Sequence, residues 1–286
     1  MDKRIIEELE ANIEKTSENK SSHWKKYLYK NIDYKNPHTM FGFGSFTKKN
    51  YKSLFHNILQ KKIFGKNLFT TNTYKKYQNL FDEIGRQIDI DTVRHILTFE
   101  KLRGKVNPKK ICIIGDGKCN GVLGAHLTFP EADIISVNLS ETLINDYIIL
   151  NFFNVDLNNS TKLISSKDEN LNNSKLFLVP SNLKEFLLNK NIDLFINIAS
   201  FHEMNIDEIS QYFKVIKNNK SILYCCNREY KKLVGGEELH FDKYPWDNTK
   251  KLFWEDCPWH QNFYAFRPPF IRKYDGNIKH CLVDFS

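Results

Sequence analysis

His202 and Glu203 stand side by side in Ser200-Phe-His-Glu-Met-Asn205, directly after the apolar run Asp193-Leu-Phe-Ile-Asn-Ile-Ala199. An imidazole beside a carboxylate can move a proton, one group accepting it while the other orients or supports the first. A hydroxyl is a poor nucleophile until it loses its proton, so this pair suits transfer to an alcohol. His202 is the preferred base, with Glu203 and His260 as alternatives. The plainer reading of the pair is a helix cap or a solvated surface. Two later stretches are dense in recognition residues: Cys225-Cys-Asn-Arg228 leading to Tyr244-Pro-Trp246, and Cys257-Pro-Trp259-His260-Gln261. Arg228 can clamp a phosphate or carboxylate through its planar fork. Tyr244, Trp246 and Trp259, with Gln261 beside them, offer aromatic faces and polar anchors of the kind that line ligand pockets and suit carbohydrate. Cys257-x-x-His260 has a metal-like spacing, but zinc wants four ligands and no second pair accompanies it. It reads as structural or substrate-facing, with no metal expected.

These residues need a scaffold, and Ile111 to Gly121 supplies its centre. Ile111-Cys-Ile-Ile114 is a short apolar run of the kind buried on both faces of a parallel sheet. It breaks at Gly115-Asp116-Gly117, and Gly121 opens a helix through Val122, Leu123 and Leu127. Such a bend presents backbone N–H groups and a helix N-terminus at a strand end. A second run, Ile134 to Val137, ends at Asn138. Strand, glycine turn, helix and strand with a polar last residue form half of a nucleotide-binding βαβ unit. In an open parallel sheet, ligands sit at the carboxyl ends of the strands. The candidate cofactor contacts are therefore Gly115, Asp116, Gly117, Gly121 and Asn138, with Ser181, Asn182 and Ala199 at the third and fourth strand ends. Asn138 stands where an acid usually receives ribose hydroxyls, and an amide can also hydrogen-bond a diol.

With 286 residues, 41% of them hydrophobic and 27% charged, the chain has an ordinary globular composition. No apolar run approaches the roughly 20 residues that span a bilayer. The charged start, Met1-Asp-Lys-Arg-Ile-Ile-Glu-Glu, is unlike a secretory signal. Six scattered cysteines suit free thiols in a reducing compartment, which points to the cytoplasm. Residues 1–104 carry 20 Lys and Arg against 12 Asp and Glu, the whole of the net charge of +8. No dense basic cluster interleaved with aromatics occurs, which weighs against nucleic acid as partner.

Residues 1–104 read as mostly helical, a lid or a substrate or oligomer contact; after a helix ended by Asn36-Pro37 comes Met40-Phe-Gly-Phe-Gly-Ser-Phe46, an aromatic segment hinged by two glycines and read as a loop packing onto the core in preference to a binding lid. Residues 105–286 alternate strand and helix through the strands at 176–179, 193–199 and 221–226, with a polar excursion at 156–175 read as exposed. The last sixty residues lose helical periodicity. Phe263–Phe266 and Ile278–Phe285 read as strands joined by the turn Asp275-Gly276-Asn277. An alternating chain that closes on an antiparallel hairpin predicts an α/β, Rossmann-like, seven-stranded methyltransferase sheet rather than a dehydrogenase half. No Tyr-x-x-x-Lys pair of a short-chain reductase occurs.

The string Gly115-Asp-Gly, Asn197-Ile-Ala-Ser-Phe-His-Glu-Met-Asn, Cys226-Asn-Arg-Glu, Tyr244-Pro-Trp, Cys257-Pro-Trp-His-Gln and Tyr274-Asp-Gly resembles bacterial sugar O-methyltransferases over roughly residues 90–286. The resemblance implies a class I fold, S-adenosyl-L-methionine as cofactor, and a sugar, nucleotide-sugar or glycan hydroxyl as acceptor in polysaccharide or natural-product synthesis. Asn138 and the excursion at 156–175 depart from that pattern. The rival readings are a non-catalytic Rossmann-like binding module and an RNA methyltransferase.

Overall fold

The computed structural model describes residues 1–27 and 48–286, so the Met40–Phe46 segment and the Asn36-Pro37 helix end lie outside the described residues. The apolar runs become strands. β1 (Lys110–Ile114), β2 (Asp133–Asn138), β3 (Thr161–Leu163), β4 (Leu176–Pro180), β5 (Leu194–Ile198) and β6 (Ile222–Arg228) pair in parallel. Two short strands, β7 (Tyr230–Lys232) and β8 (Glu238–His240), form a separate ribbon, as do β10 (Asn262–Tyr264) and β11 (Ile271–Lys273). The main sheet is completed by β9 (Lys250–Asp256) and β12 (Ile278–Asp284), in the order β3-β4-β2-β1-β5-β6-β12-β9. β12 runs antiparallel to both neighbours. This is the mostly parallel α/β sheet with an antiparallel edge expected from the sequence, with eight strands instead of seven.

Two details differ from the sequence reading. The extra strand, β3, lies inside the excursion read as wholly exposed. Leu157, Leu163 and Ile164 are buried there, few enough that the surrounding Asn and Ser residues mask them in the pattern. The antiparallel pair at the sheet's edge is β12 with β9, not with Phe263–Phe266. β12 buries Leu282 on one face and Cys281 and Val283 on the other, so it belongs inside a two-sided sheet. The residues of β10 are only half-buried and pair instead with β11.

Alternation along β1 divides the core. Ile111 and Ile113 enter one apolar cluster, whereas Cys112 and Ile114 enter the other. The first cluster also takes in the helices α1 (Lys3–Ala11), α4 (Asn72–Glu83), α5 (Ile90–Leu102), α6 (Asn120–Thr128) and α7 (Ser140–Leu150), through residues such as Leu9, Tyr77, Phe99, Val122 and Leu143. The N-terminal helices α1, α4 and α5 thus share one core with the sheet. Gly124 lets α6 lie against α5, since a Cβ there would come within 2.1 Å of the Phe99 ring. The Asp2 amide donates to Tyr147 Oη at 3.0 Å, fastening α1 to α7. α2 (Ser22–Tyr27) and α3 (Ser53–Phe64) complete the described N-terminal helices. The opposite face is covered by α8 (Ile206–Asn218) and by Ser181–Leu187, a 3-10 stretch where the sequence suggested a helix.

Candidate active site

A cavity of about 390 Å³ opens at the carboxyl ends of β1, β2, β4, β5 and β6, within the range of small-molecule sites. Nine of the sequence-derived candidates line it: Gly115, Asp116, Asn138, Ser181, Ala199, His202, Glu203, Arg228 and His260. Gly117, Gly121, Asn182, Tyr244, Trp246, Trp259 and Gln261 do not. The N-terminal region adds Asn19, Trp24, Asp91, Arg94 and His95 to the wall, none of them anticipated. Asp89 before Asp91 caps α5, accepting from the Thr92 amide at 2.8 Å, and this was the one local signal for that segment.

The glycine bend is built from inside the protein. Gly115 has φ +73°, and a Cβ there would lie 1.9 Å from Ser200 Oγ. The amides of Gly117 and Cys119 donate to the Asp146 carboxylate on α7, at 3.2 and 2.9 Å. The Val122 amide donates to Asp116 Oδ2 at 2.8 Å, and a Cβ at Gly121 would meet Ile113 and Asp116. Gly117 and Gly121 therefore shape the bend and do not line the cavity, and Asp146 on α7 supplies the acceptor for the loop's Gly117 and Cys119 amides. Asp146 was invisible to sequence reasoning, since an acid within a helix reads as solvated. Burial pushes its carboxyl well above the usual range, with Asp116 adding to the rise and the Cys119 and Gly117 amides opposing it.

Three residues of the cavity wall, Asp116, Thr142 and Ser181, each carry a buried side-chain oxygen (Oδ1, Oγ1 and Oγ) with no hydrogen-bond partner among the described residues. Unpaired buried acceptors and hydroxyls are costly, so this wall suits a ligand rich in hydroxyl and amino groups, such as a nucleoside. Asn138 accepts from the Leu139 amide at 2.9 Å. Lys118 Nζ bridges Asp89 and Asp91 at 2.9 and 3.0 Å, and Arg94 joins Asp91 at 2.7 Å. Burial opposes the Lys118 charge, but the two carboxylates outweigh it and hold the ammonium above the usual lysine range.

At the other end, His202 Nδ1 lies 3.0 Å from Asn227 Oδ1, which also accepts from the His202 amide at 3.2 Å. The Arg228 amide also donates toward the same Nδ1, at 3.4 Å. Nε2 stands 3.8 Å from Glu203 Oε1, and His23 Nε2 approaches the same oxygen to 3.7 Å. Burial, then Lys231 and Arg228, push the His202 pKa well below its ordinary value. Burial pushes Glu203 up to about 7, against the pull of Lys231 and Arg228. Arg228 stacks over Tyr274 at 5.2 Å and donates to the Asp275 carbonyl at 3.0 Å.

The remaining candidates lie elsewhere. Tyr244 and Trp246 pack among Phe201, Phe213, Phe241 and Trp254 on the far face of the sheet, where their aromatic area serves the core. Gln261 donates to the carbonyls of Cys257 and Ile278, both at 2.8 Å, and so holds its own loop. Trp259 is buried edge-on against His280. His260 Nδ1 lies 3.3 Å from Cys257 Sγ and 3.6 Å from Cys226 Sγ, joining the two late motifs across the sheet edge.

No protein-family model and no curated protein matches the chain. Among solved structures it is similar to a mitomycin 7-O-methyltransferase, at 10% identity over 82% of this chain and 67% of that one, with a TM-score of 0.44. It is also similar to a plantazolicin methyltransferase in complex with SAH, at 12% identity over 82% and 95%, with a TM-score of 0.42. A cyclopropane synthase from Mycobacterium tuberculosis is similar at 10% identity over 66% and 83%, with a TM-score of 0.41. Among the described residues no helix is long and apolar enough to cross a membrane.

Proposed function

We propose that the chain is an S-adenosyl-L-methionine-dependent O-methyltransferase acting on a hydroxyl of a sugar, a nucleotide sugar or a glycan precursor. The observation that carries the reading is that five strand ends of the parallel sheet converge on one cavity, whose wall includes Asp116, Thr142 and Ser181, each with a buried oxygen unpartnered among the described residues, and the adjacent His202 and Glu203. Asp116, Thr142 and Ser181, with Asn138, form the wall that would hold the nucleoside. The cofactor would supply an already activated methyl group, so the protein has only to align the acceptor and take its proton.

Glu203 is the proton acceptor in this reading, in place of His202. A pKa near 7 matches a base to neutral pH, whereas an imidazole held well below its ordinary value takes up a proton poorly. His202, fixed by Asn227, is a positioning residue beside the carboxylate. Trp24 and Tyr274 give the acceptor end aromatic faces, and Arg228 gives it a cation suited to a sugar phosphate. Calorimetric titration with S-adenosylhomocysteine tests the cofactor half: saturable binding is expected, and no heat at millimolar ligand refutes it. Transfer of labelled methyl from the cofactor to nucleotide sugars tests the acceptor half. Labelling of RNA instead would overturn it.

A further inference from the structure

We infer that Cys226 Sγ, Cys257 Sγ and His260 Nδ1 form a binding site for a zinc-class divalent ion, with the fourth coordination position left to a water or an exogenous ligand. In the sequence Cys257-x-x-His260 lacks a partner pair; the fold supplies a third ligand from β6. All three donor atoms lie within 4.8 Å of one another, and all three residues are buried. Tetrahedral zinc, with bonds of about 2.3 Å to sulfur and about 2.0 Å to nitrogen, sets sulfur and nitrogen about 3.6 Å apart. The observed nitrogen-to-sulfur separations are 3.3 and 3.6 Å, within a few tenths of an ångström of that value, and the two sulfurs lie within 4.8 Å of each other.

The donor set is chemically apt. Two thiolates and an imidazole favour zinc over magnesium or calcium, which want oxygen. On binding, each thiol releases its proton to solvent, and the two thiolates balance the dication, so the buried site gains no net charge. No redox step is involved.

The surrounding shell holds the ligands in place, as metal sites require. The Cys257 amide donates to the Ile278 carbonyl at 2.8 Å, and Gln261 ties the carbonyls of Cys257 and Ile278 together. Arg94 donates to the carbonyls of Trp259 and Asn262, at 3.4 and 2.8 Å on either side of His260. His260 also lines the cavity, which gives an ion a route in. The bound ion would pin the loop after β9 to β6 and stiffen that part of the cavity wall.

The inference does not depend on methyl transfer, because the metal is read directly. The reduced, metal-free full chain is titrated with cobalt(II) chloride, and binding is followed by absorption. A single equivalent binding with thiolate-to-metal charge-transfer and intense tetrahedral d–d bands is expected, displaced by zinc. Cys257→Ser and His260→Ala should each weaken cobalt binding about 100-fold or more, while Cys112→Ser, a buried thiol elsewhere, should bind as the unaltered chain does. Melting curves without metal establish that the variants fold, and zinc should raise the melting temperature of the unaltered chain but not theirs. Absence of charge-transfer absorption in the reduced chain, or equal binding by a folded Cys226→Ser/Cys257→Ser variant, overturns the site. Zinc binding without cofactor binding would sink the methyl-transfer reading alone.

Discussion

Replacing Glu203 by Gln should make the protein more stable at alkaline pH, by an amount that the site geometry sets. The Glu203 side chain is only 22% exposed, and burial raises its pKa from 4.5 to about 7 despite Lys231 and Arg228 nearby. Between those two values the folded chain holds a proton that the unfolded chain has released. Stability therefore falls as pH rises through this window, and the loss is complete above the folded value. A shift of about 2.5 units corresponds to about 3 kcal/mol. Gln keeps the shape and cannot ionise, so the stability difference between Glu203→Gln and the unaltered chain should grow by about 3 kcal/mol from pH 4.5 to pH 8. Urea denaturation at a series of pH values measures it. His23 and His202 stand beside the carboxylate in both proteins, so their own titration largely cancels in the difference. Turnover carries the same signature: kcat/KM should rise with pH through about 7 in the unaltered enzyme, and the variant should lose most activity at every pH. A stability difference independent of pH would refute the burial argument. An unchanged pH–rate profile in the variant would remove Glu203 as the base.

Three further substitutions probe the scaffold. Gly115→Ala combines a positive φ with a 1.9 Å approach to Ser200 Oγ and should cost about 1–3 kcal/mol, seen as a lower urea midpoint together with weakened S-adenosylhomocysteine binding. Asp146→Ala strips the Gly117 and Cys119 amides of their acceptor. It should cost about 1–3 kcal/mol for each buried donor left unpaired, and calorimetry should show weaker cofactor binding although Asp146 does not line the cavity. Tyr244→Phe removes a buried hydroxyl that has no partner among the described residues, so stability should hold or rise and turnover should not change; a large loss of turnover would return Tyr244 to the substrate site.

Much of the architecture could be read along the chain because its determinants are local. Ile111–Ile114 is apolar at every position and Ile134–Val137 at all but Ser136, as suits strands buried on both faces of a sheet, and the break after each run sets where a strand end falls. Those strand ends carried Gly115, Asp116, Asn138, Ser181, Ala199, His202, Glu203 and Arg228 to one rim, and the cavity collects all eight. Residue type alone could not say which aromatics face a ligand: Tyr244 and Trp246 have the composition of a sugar site and the location of a core.

What only the tertiary structure decided depends on groups far apart in the chain. Asp146 reaches the glycine bend from another helix, Asp91 and Arg94 reach the cavity from the N-terminal region, and Cys226 meets Cys257 and His260 because β12 inserts beside β6. The burial and charges on which the proposed exchange of roles between His202 and Glu203 rests belong here too. The sequence places an imidazole next to a carboxylate, but a pKa is set by desolvation and by the charges around a group, and for Glu203 those come from burial against Lys231 and Arg228, which enter the site from β7 and from the end of β6.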